Sequence, residues 1–302
     1  MSLAEGRTAS IPVKGGRVIA AALVLAAVGM VGTVGCSRKA PSEPPVATAT
    51  FTPAKARAPL GSPLEVTYKF VVAPDAKFTE NFRVLVHFMD SDDELMWTDD
   101  HNPPKPTTQW KPGETIEYKR TLFVPVYPYI GQATVRAGLY SEKDGHRASL
   151  GGETVGLHEY KVGGLELLPQ SENIFLVYKD GWHPAEVSSV DPTNEWQWTK
   201  KAATVSFKNP KKDATFFIEY DARTDKFAAP QQVTVRSGDQ VITTFPADSK
   251  APKLVTIPIA AAQFGSGDMA ELTLDVDQTF APGAGDVREL GIRVFHAFIE
   301  PK

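Results

Sequence analysis

From residue 64 to the C-terminus, apolar and polar side chains alternate with a period of two, interrupted at short intervals by Gly, Pro, Asn and Asp. Side chains two apart on a strand share a face, so Leu64, Val66, Tyr68, Phe70 and Val72 form one apolar stripe. Phe82-Arg83-Val84-Leu85-Val86-His87-Phe88 predicts a second strand, Asp90-Ser91-Asp92-Asp93-Glu94 a polar turn, and Leu95-Met96-Trp97 the return. Residues 116–124 and 133–140 follow, separated by proline-rich loops. No long helical period occurs beyond residue 36, and only residues 260–264 offer a short helical piece. A chain patterned this way is expected to be all-β and antiparallel, with sheets paired as sandwiches.

The second half repeats the style. Ala203-Thr204-Val205-Ser206-Phe207 and residues 215–220 flank the hairpin loop Asn209-Pro210-Lys211-Lys212-Asp213, and residues 233–236 and 240–245 flank Ser237-Gly238-Asp239. With residues 254–259, 271–277 and 288–299 this makes roughly eight strands, the number of a jelly roll. A length of 302 residues suits two domains. The expected division is a signal or anchor at 1–35, a Pro-rich tether at 36–63, one sandwich at 64–168 and a second at 169–302. The boundary is placed within residues 163–179, where Val162-Gly163-Gly164 and Pro169-Gln170-Ser171-Glu172-Asn173 read as loops.

The N-terminus is patterned for export. Arg7, Lys14 and Arg17 precede an uncharged apolar run over residues 18–35, which ends in Thr33-Val34-Gly35 before the only cysteine, Cys36. This stretch resembles a bacterial lipobox, which implies that Cys36 is the lipid acceptor and first mature residue. An uncleaved anchor is the alternative, because 18 apolar residues are within spanning length. On either reading the body is membrane-anchored in the bacterial cell envelope and faces the periplasm or exterior. Pro41, Pro44, Pro45, Pro53, Pro59 and Pro63 make residues 40–63 read as an extended tether, with a reach on the order of 70 Å at about 3.1 Å per residue.

Composition removes several functions. Thirty-two basic against 36 acidic residues leave a net charge of −4, which supplies no basic face for nucleic acid. One cysteine excludes disulfide scaffolds, Cys-ligated clusters and covalent haem. No Gly-x-Ser-x-Gly elbow, phosphate-binding Gly-Lys-Ser/Thr loop or paired-histidine metal motif is present. No cofactor is expected.

The first sandwich, with Leu85-Val86-His87-Phe88, Trp97-Thr98-Asp99-Asp100-His101, Trp110-Lys111-Pro112-Gly113-Glu114 and Gly138-Leu139-Tyr140, resembles immunoglobulin-like modules of bacterial envelope proteins. The second, with Gly181-Trp182-His183-Pro184, Trp196-Gln197-Trp198-Thr199 and Arg288-Glu289-Leu290-Gly291-Ile292-Arg293-Val294-Phe295, resembles a jelly-roll partner found in the same company. Together they are similar to two-domain β-sandwich lipoproteins and to domains accompanying membrane glycosyltransferases. That resemblance implies architecture and little chemistry.

Six aromatic residues are candidate contacts for a protein partner or a glycan. Trp110 and Trp182 stand beside loop signals and are expected to be the more exposed. Trp196 and Trp198, two apart, face one way and read as a packing pair or a sugar platform. Tyr127 and Tyr129 lie in the loop Val126-Tyr127-Pro128-Tyr129. Asp90, Asp92 and Asp93 are a weak calcium candidate, better read as a solvated turn because the EF-hand spacing is missing. His101 and His183 read as loop residues, and His296 as a residue on a buried face. An anchor, a tether and rigid sandwiches without an assembled site point to a non-catalytic, membrane-extrinsic scaffolding subunit of a membrane protein complex, such as a photosynthetic one. The alternative is a carbohydrate-binding module in envelope polysaccharide assembly.

Overall fold

The computed structural model describes residues 43–190 and 194–302. The expected export segment, Cys36 and the first tether residues lie outside the described residues. Among the described residues the chain is all-β, relieved only by four short 3-10 turns at Thr107–Gln109, Gln170–Glu172, Thr224–Lys226 and Ala261–Phe264. The last is the helical piece read near residue 260. No helix among them is long and apolar enough to cross a membrane.

The first sandwich begins earlier than the alternation suggests. Ala47–Pro53 is a seven-residue strand, antiparallel to Pro63–Val72 along its whole length, from Ala47 opposite Val72 to Pro53 opposite Val66. The tether reading is therefore corrected for residues 47–63. Ala47, Ala49 and Phe51 do alternate with Thr48, Thr50 and Thr52, but two of the three inward residues are alanines, and the contrast is faint. The prolines fall where a ladder tolerates them, Pro53 and Pro59 at strand ends and Pro63 at a strand start.

One sheet runs in the order Thr115–Phe123, Pro63–Val72, Ala47–Pro53, Leu150–Gly151. The facing sheet runs Glu153–Gly156, Glu159–Leu168, Gly131–Tyr140, Arg83–Met89, Leu95–Thr98, with Arg57–Pro59 and Arg147–Ala148 as short additions. Two contacts are parallel, Ala47–Pro53 with Leu150–Gly151 and Glu159–Leu168 with Arg57–Pro59. Phe51, Tyr68, Phe70, Val86, Phe88 and Leu139 fill the space between the sheets. Each large apolar side chain so buried contributes about 1.5–3 kcal/mol.

Val162-Gly163-Gly164 is not a loop but the middle of Glu159–Leu168, at a bulge between Lys161 and Gly163. A Cβ on Gly163 would stand 2.8 Å from the Phe51 carbonyl oxygen and 3.0 Å from its ring, so glycine here permits the close approach of a strand.

The second sandwich has its own core of Phe207, Phe216, Ile218, Tyr220, Leu272 and Ile292. One sheet runs Leu176–Tyr178, Ala202–Lys208, Met269–Val276, Gln231–Ser237, Gln240–Ala247. The other runs Glu186–Val187, Glu195–Trp198, Arg293–Pro301, Ala214–Asp221, Lys253–Ile259. Its inward positions Phe216, Ile218 and Tyr220 are fully buried, so Thr215, Phe217 and Glu219 point away from this core.

Those outward positions meet the first sandwich. The Phe123 ring stacks on His296 with centroids 4.3 Å apart and planes 8° from parallel. Lys55 pairs with Glu300. In the connecting segment, the Asn173 side-chain amide donates to the Leu60 carbonyl at 2.7 Å. His296 is thus outward and exposed rather than on a buried face. The bulge between Glu219 and Tyr220 inserts one residue into the facing strand and shifts its parity, so counting alternately forward from Leu290 misplaces it.

Candidate functional site

The strand Glu195–Trp198 places Trp196 and Trp198 on one face, as their spacing predicts. The Arg293 guanidinium fills the space between them, 4.7 Å from the Trp196 ring centre, 5.7 Å from Trp198 and 5.1 Å from Phe295. Asp221, nearly fully buried, holds Arg293 in a two-pronged pair, with Nε donating to Oδ1 at 2.9 Å. Phe280 closes on Trp198 edge-on at 5.8 Å. The aromatic pair is therefore a cage occupied by the protein's own cation.

The other aromatic candidates are also engaged. Trp110 was expected to be exposed, yet it is 5% exposed and belongs to the first core. Its ring lies 5.2 Å from Phe70 and 5.4 Å from Phe78, and its Nε1 donates to the Lys105 carbonyl at 2.8 Å. The 3-10 turn Thr107–Gln109, immediately before it, swings the ring inward, a geometry the loop signals do not carry. Trp182 is half-buried, with Nε1 donating to the Thr204 carbonyl at 2.9 Å and its ring against Tyr178. Tyr127 and Tyr129 pack against the first core, and the Tyr129 hydroxyl donates to the Gln132 carbonyl at 2.8 Å. Of the four candidate tryptophans, Trp110 and Trp198 are buried, and Trp182 and Trp196 are half-buried.

The acidic turn is a backbone cap. Asp90 Oδ1 accepts from the amides of Asp92 and Glu94, both at 2.9 Å, and Asp93 pairs with Arg136 at 2.5 Å. Among the described residues no group of three acidic, His or Cys side chains is arranged to hold a metal ion. The His183 Nε2 meets the Glu289 carbonyl at 2.7 Å.

A polar cluster that sequence reading missed lies at the open side of the first sandwich. Trp97, Asp99 and His101 alternate inward from one sheet, and Tyr118 and Arg120 from the edge strand of the other. Asp99 accepts from the Tyr68 hydroxyl at 2.8 Å and from Arg120 Nε and Nη2 at 3.0 and 2.7 Å. His101, 5% exposed, donates from Nδ1 to the Asp99 carbonyl at 2.6 Å and accepts the Tyr118 hydroxyl proton on Nε2 at 2.6 Å. Burial pushes the His101 pKa below the ordinary histidine range. Burial, helped by the neighbouring Asp99 charge, pushes the Tyr68 hydroxyl far up, and burial raises Tyr118 too. The cluster is a latch across two sheets whose partners are all internal. The visible signal was the alternation within Trp97-Thr98-Asp99-Asp100-His101, which follows strand logic although a loop was expected.

No protein-family model and no curated protein matches the chain. Among solved structures it is similar to a Bacteroides uniformis β-glucuronidase, at 7% identity over 84% of this chain and 30% of that one, with a TM-score of 0.30. It is also similar to the CBM51-2 and INT domains of Clostridium perfringens ZmpB in complex with GlcNAc, at 12% identity over 58% of this chain and 39% of that one, TM-score 0.24. A third is the CBM22-1–CBM22-2 tandem domain of Paenibacillus barcinonensis Xyn10C, at 10% identity over 80% and 79%, TM-score 0.27. The chain thus spans less than half the length of the first two. Neighbours of this kind are bacterial β-sandwich modules, and at these identities and scores they carry no argument about what this chain binds.

Proposed function

We propose that this chain is a non-catalytic, membrane-tethered protein of the bacterial cell envelope, facing the periplasm or exterior, which serves as an extrinsic scaffolding subunit of a membrane protein complex. The observation that carries this reading is the border of the second sandwich between residues 175 and 190. Leu176–Tyr178 is an edge strand with one neighbour, and Glu186–Val187 is an edge strand of the other sheet. Along this border Phe175, Val177, Tyr178, Val187 and Val190 are all exposed. Scattered surface apolar residues are ordinary, but a group of them on and beside two edge strands is a surface suited to a partner. The prominent charged clusters are meanwhile spent on internal pairs, Asp99 with Arg120 and Asp221 with Arg293.

The test is gentle detergent extraction of the full chain followed by native co-purification. The expected result is recovery with a membrane complex in fixed stoichiometry, lost when Val177→Lys places a charge on the edge strand. Recovery of the unaltered chain as a lone monomer overturns the reading.

A further inference from the structure

We propose that the cleft between the two sandwiches is a binding site for a neutral saccharide ring. This goes beyond the scaffolding reading and uses a different surface. The cleft has a volume of about 400 Å3, within the range of small-ligand sites, which favour domain junctions.

Its walls are built by register. On the first sandwich Glu65 lies opposite Thr121 across two paired strands. On the second, Glu300 lies opposite Thr215, and Phe217 opposite Thr256. All six line the cleft. Each wall therefore presents a carboxylate beside a hydroxyl, and one wall adds an aromatic ring. The three threonine hydroxyls have no protein partner among the described residues. A sugar ring is two-faced in the same sense, with C–H groups that pack on an aromatic ring and hydroxyls that both donate and accept.

Charge selects the class. Glu300 is already paired with Lys55 and Glu65 with Lys119. The carboxylates keep lone pairs for hydroxyl donors, but among the described residues that line the cleft no free cation is left for a phosphate and no unpaired acidic pair for a metal ion. A neutral, hydroxyl-rich ligand matches what remains. The walls are held in place by the Phe123–His296 stack and the Asn173–Leu60 bond, so little ordering accompanies binding.

The experiment is saturation-transfer NMR of the full chain with glucose, galactose, N-acetylglucosamine and cellobiose, with inorganic phosphate, followed by the broadening of its 31P line, as a fifth probe. At least one sugar is expected to receive saturation and phosphate is expected to show no binding. Phe217→Ala, a half-buried position outside the core, is expected to weaken the sugar about tenfold, and Glu300→Gln to weaken it measurably. Thr256→Arg, at an exposed position, blocks the cleft without touching the core and is expected to abolish binding with an unchanged circular dichroism spectrum. Val177→Lys is expected to leave sugar binding unaltered, which separates this site from the docking edge. Saturation of none of the four sugars, binding that survives Thr256→Arg, or preferential binding of phosphate overturns the proposal.

Discussion

Asp99→Ala removes three hydrogen bonds at once, one from the Tyr68 hydroxyl and two from the Arg120 guanidinium. The two losses differ in kind. Tyr68 is 1% exposed, so its hydroxyl is left buried and unpaired at a cost of about 1–3 kcal/mol. The Arg120 side chain is 38% exposed, so water recovers much of its solvation, and we assign that half about 1 kcal/mol. The sum is about 3 kcal/mol, at the low end of the roughly 3–5 kcal/mol for breaking a fully buried pair. For a unit of this size that lowers the melting temperature by roughly 6–12 °C. Urea unfolding at neutral pH, followed by the fluorescence of Trp97 and Trp110 in the same sandwich, reads it directly.

A double-mutant cycle tests the assignment rather than the total. Tyr68→Phe deletes the hydroxyl that Asp99→Ala would strand, so Asp99→Ala in that background is expected to cost about 1–2 kcal/mol less than alone. Strict additivity, or an Asp99→Ala cost within about 0.5 kcal/mol of zero, refutes the claim that this cluster latches the two sheets together.

Four further outcomes are expected. The folded state holds His101 neutral with a lowered pKa, whereas the unfolded chain takes up a proton at about 6.5; this contribution is complete above that value and is lost as the pH falls through it, so the urea midpoint should drop on acidification, less steeply in His101→Gln. Gly181→Ala should be severely destabilising, because at φ +85° its Cβ would sit 1.7 Å from the Ala202 carbonyl oxygen, while Gly238→Ala, with φ +56° and nothing within 4 Å, should cost only about 1 kcal/mol by denaturant titration. Asp221→Ala strands Arg293 in its aromatic cage and should cost more than the double replacement Asp221→Ala with Arg293→Leu, a comparison two unfolding curves make. Lipidation at Cys36 predicts that the intact mass of the mature chain lacks residues 1–35 and carries acyl groups; a mass that retains those residues without acyl groups refutes it.

What could be read ahead of the structure was whatever is local and high in contrast. Strands such as Pro63–Val72 and Ala202–Lys208 announce themselves because large apolar residues alternate with polar ones. Ala47–Pro53 obeys the same rule with alanine in place of valine or leucine, and the six prolines from Pro41 to Pro63 make the stretch read as a tether. Gly163 looks like a loop residue because glycine marks both flexible turns and places where another backbone passes close, and only the position of Phe51 distinguishes them. The same limit governs the sites. Trp110 turns inward because of the 3-10 turn before it, which loop signals do not carry, and His296 turns outward because of one bulge, a change of parity that a period-two count propagates as an error. The Asp99 latch joins facing sheets, and the cleft brings Glu65–Thr121 and Glu300–Thr215 together across two sandwiches. The alternation from Trp97 to His101 marks one side of the latch, but its partners Tyr68, Tyr118 and Arg120, like the two walls of the cleft, come together only once register and the contact between sandwiches are set. The surface available for function in a chain of this kind is therefore decided by bulges and junctions more than by the aromatic residues that stand out in its sequence.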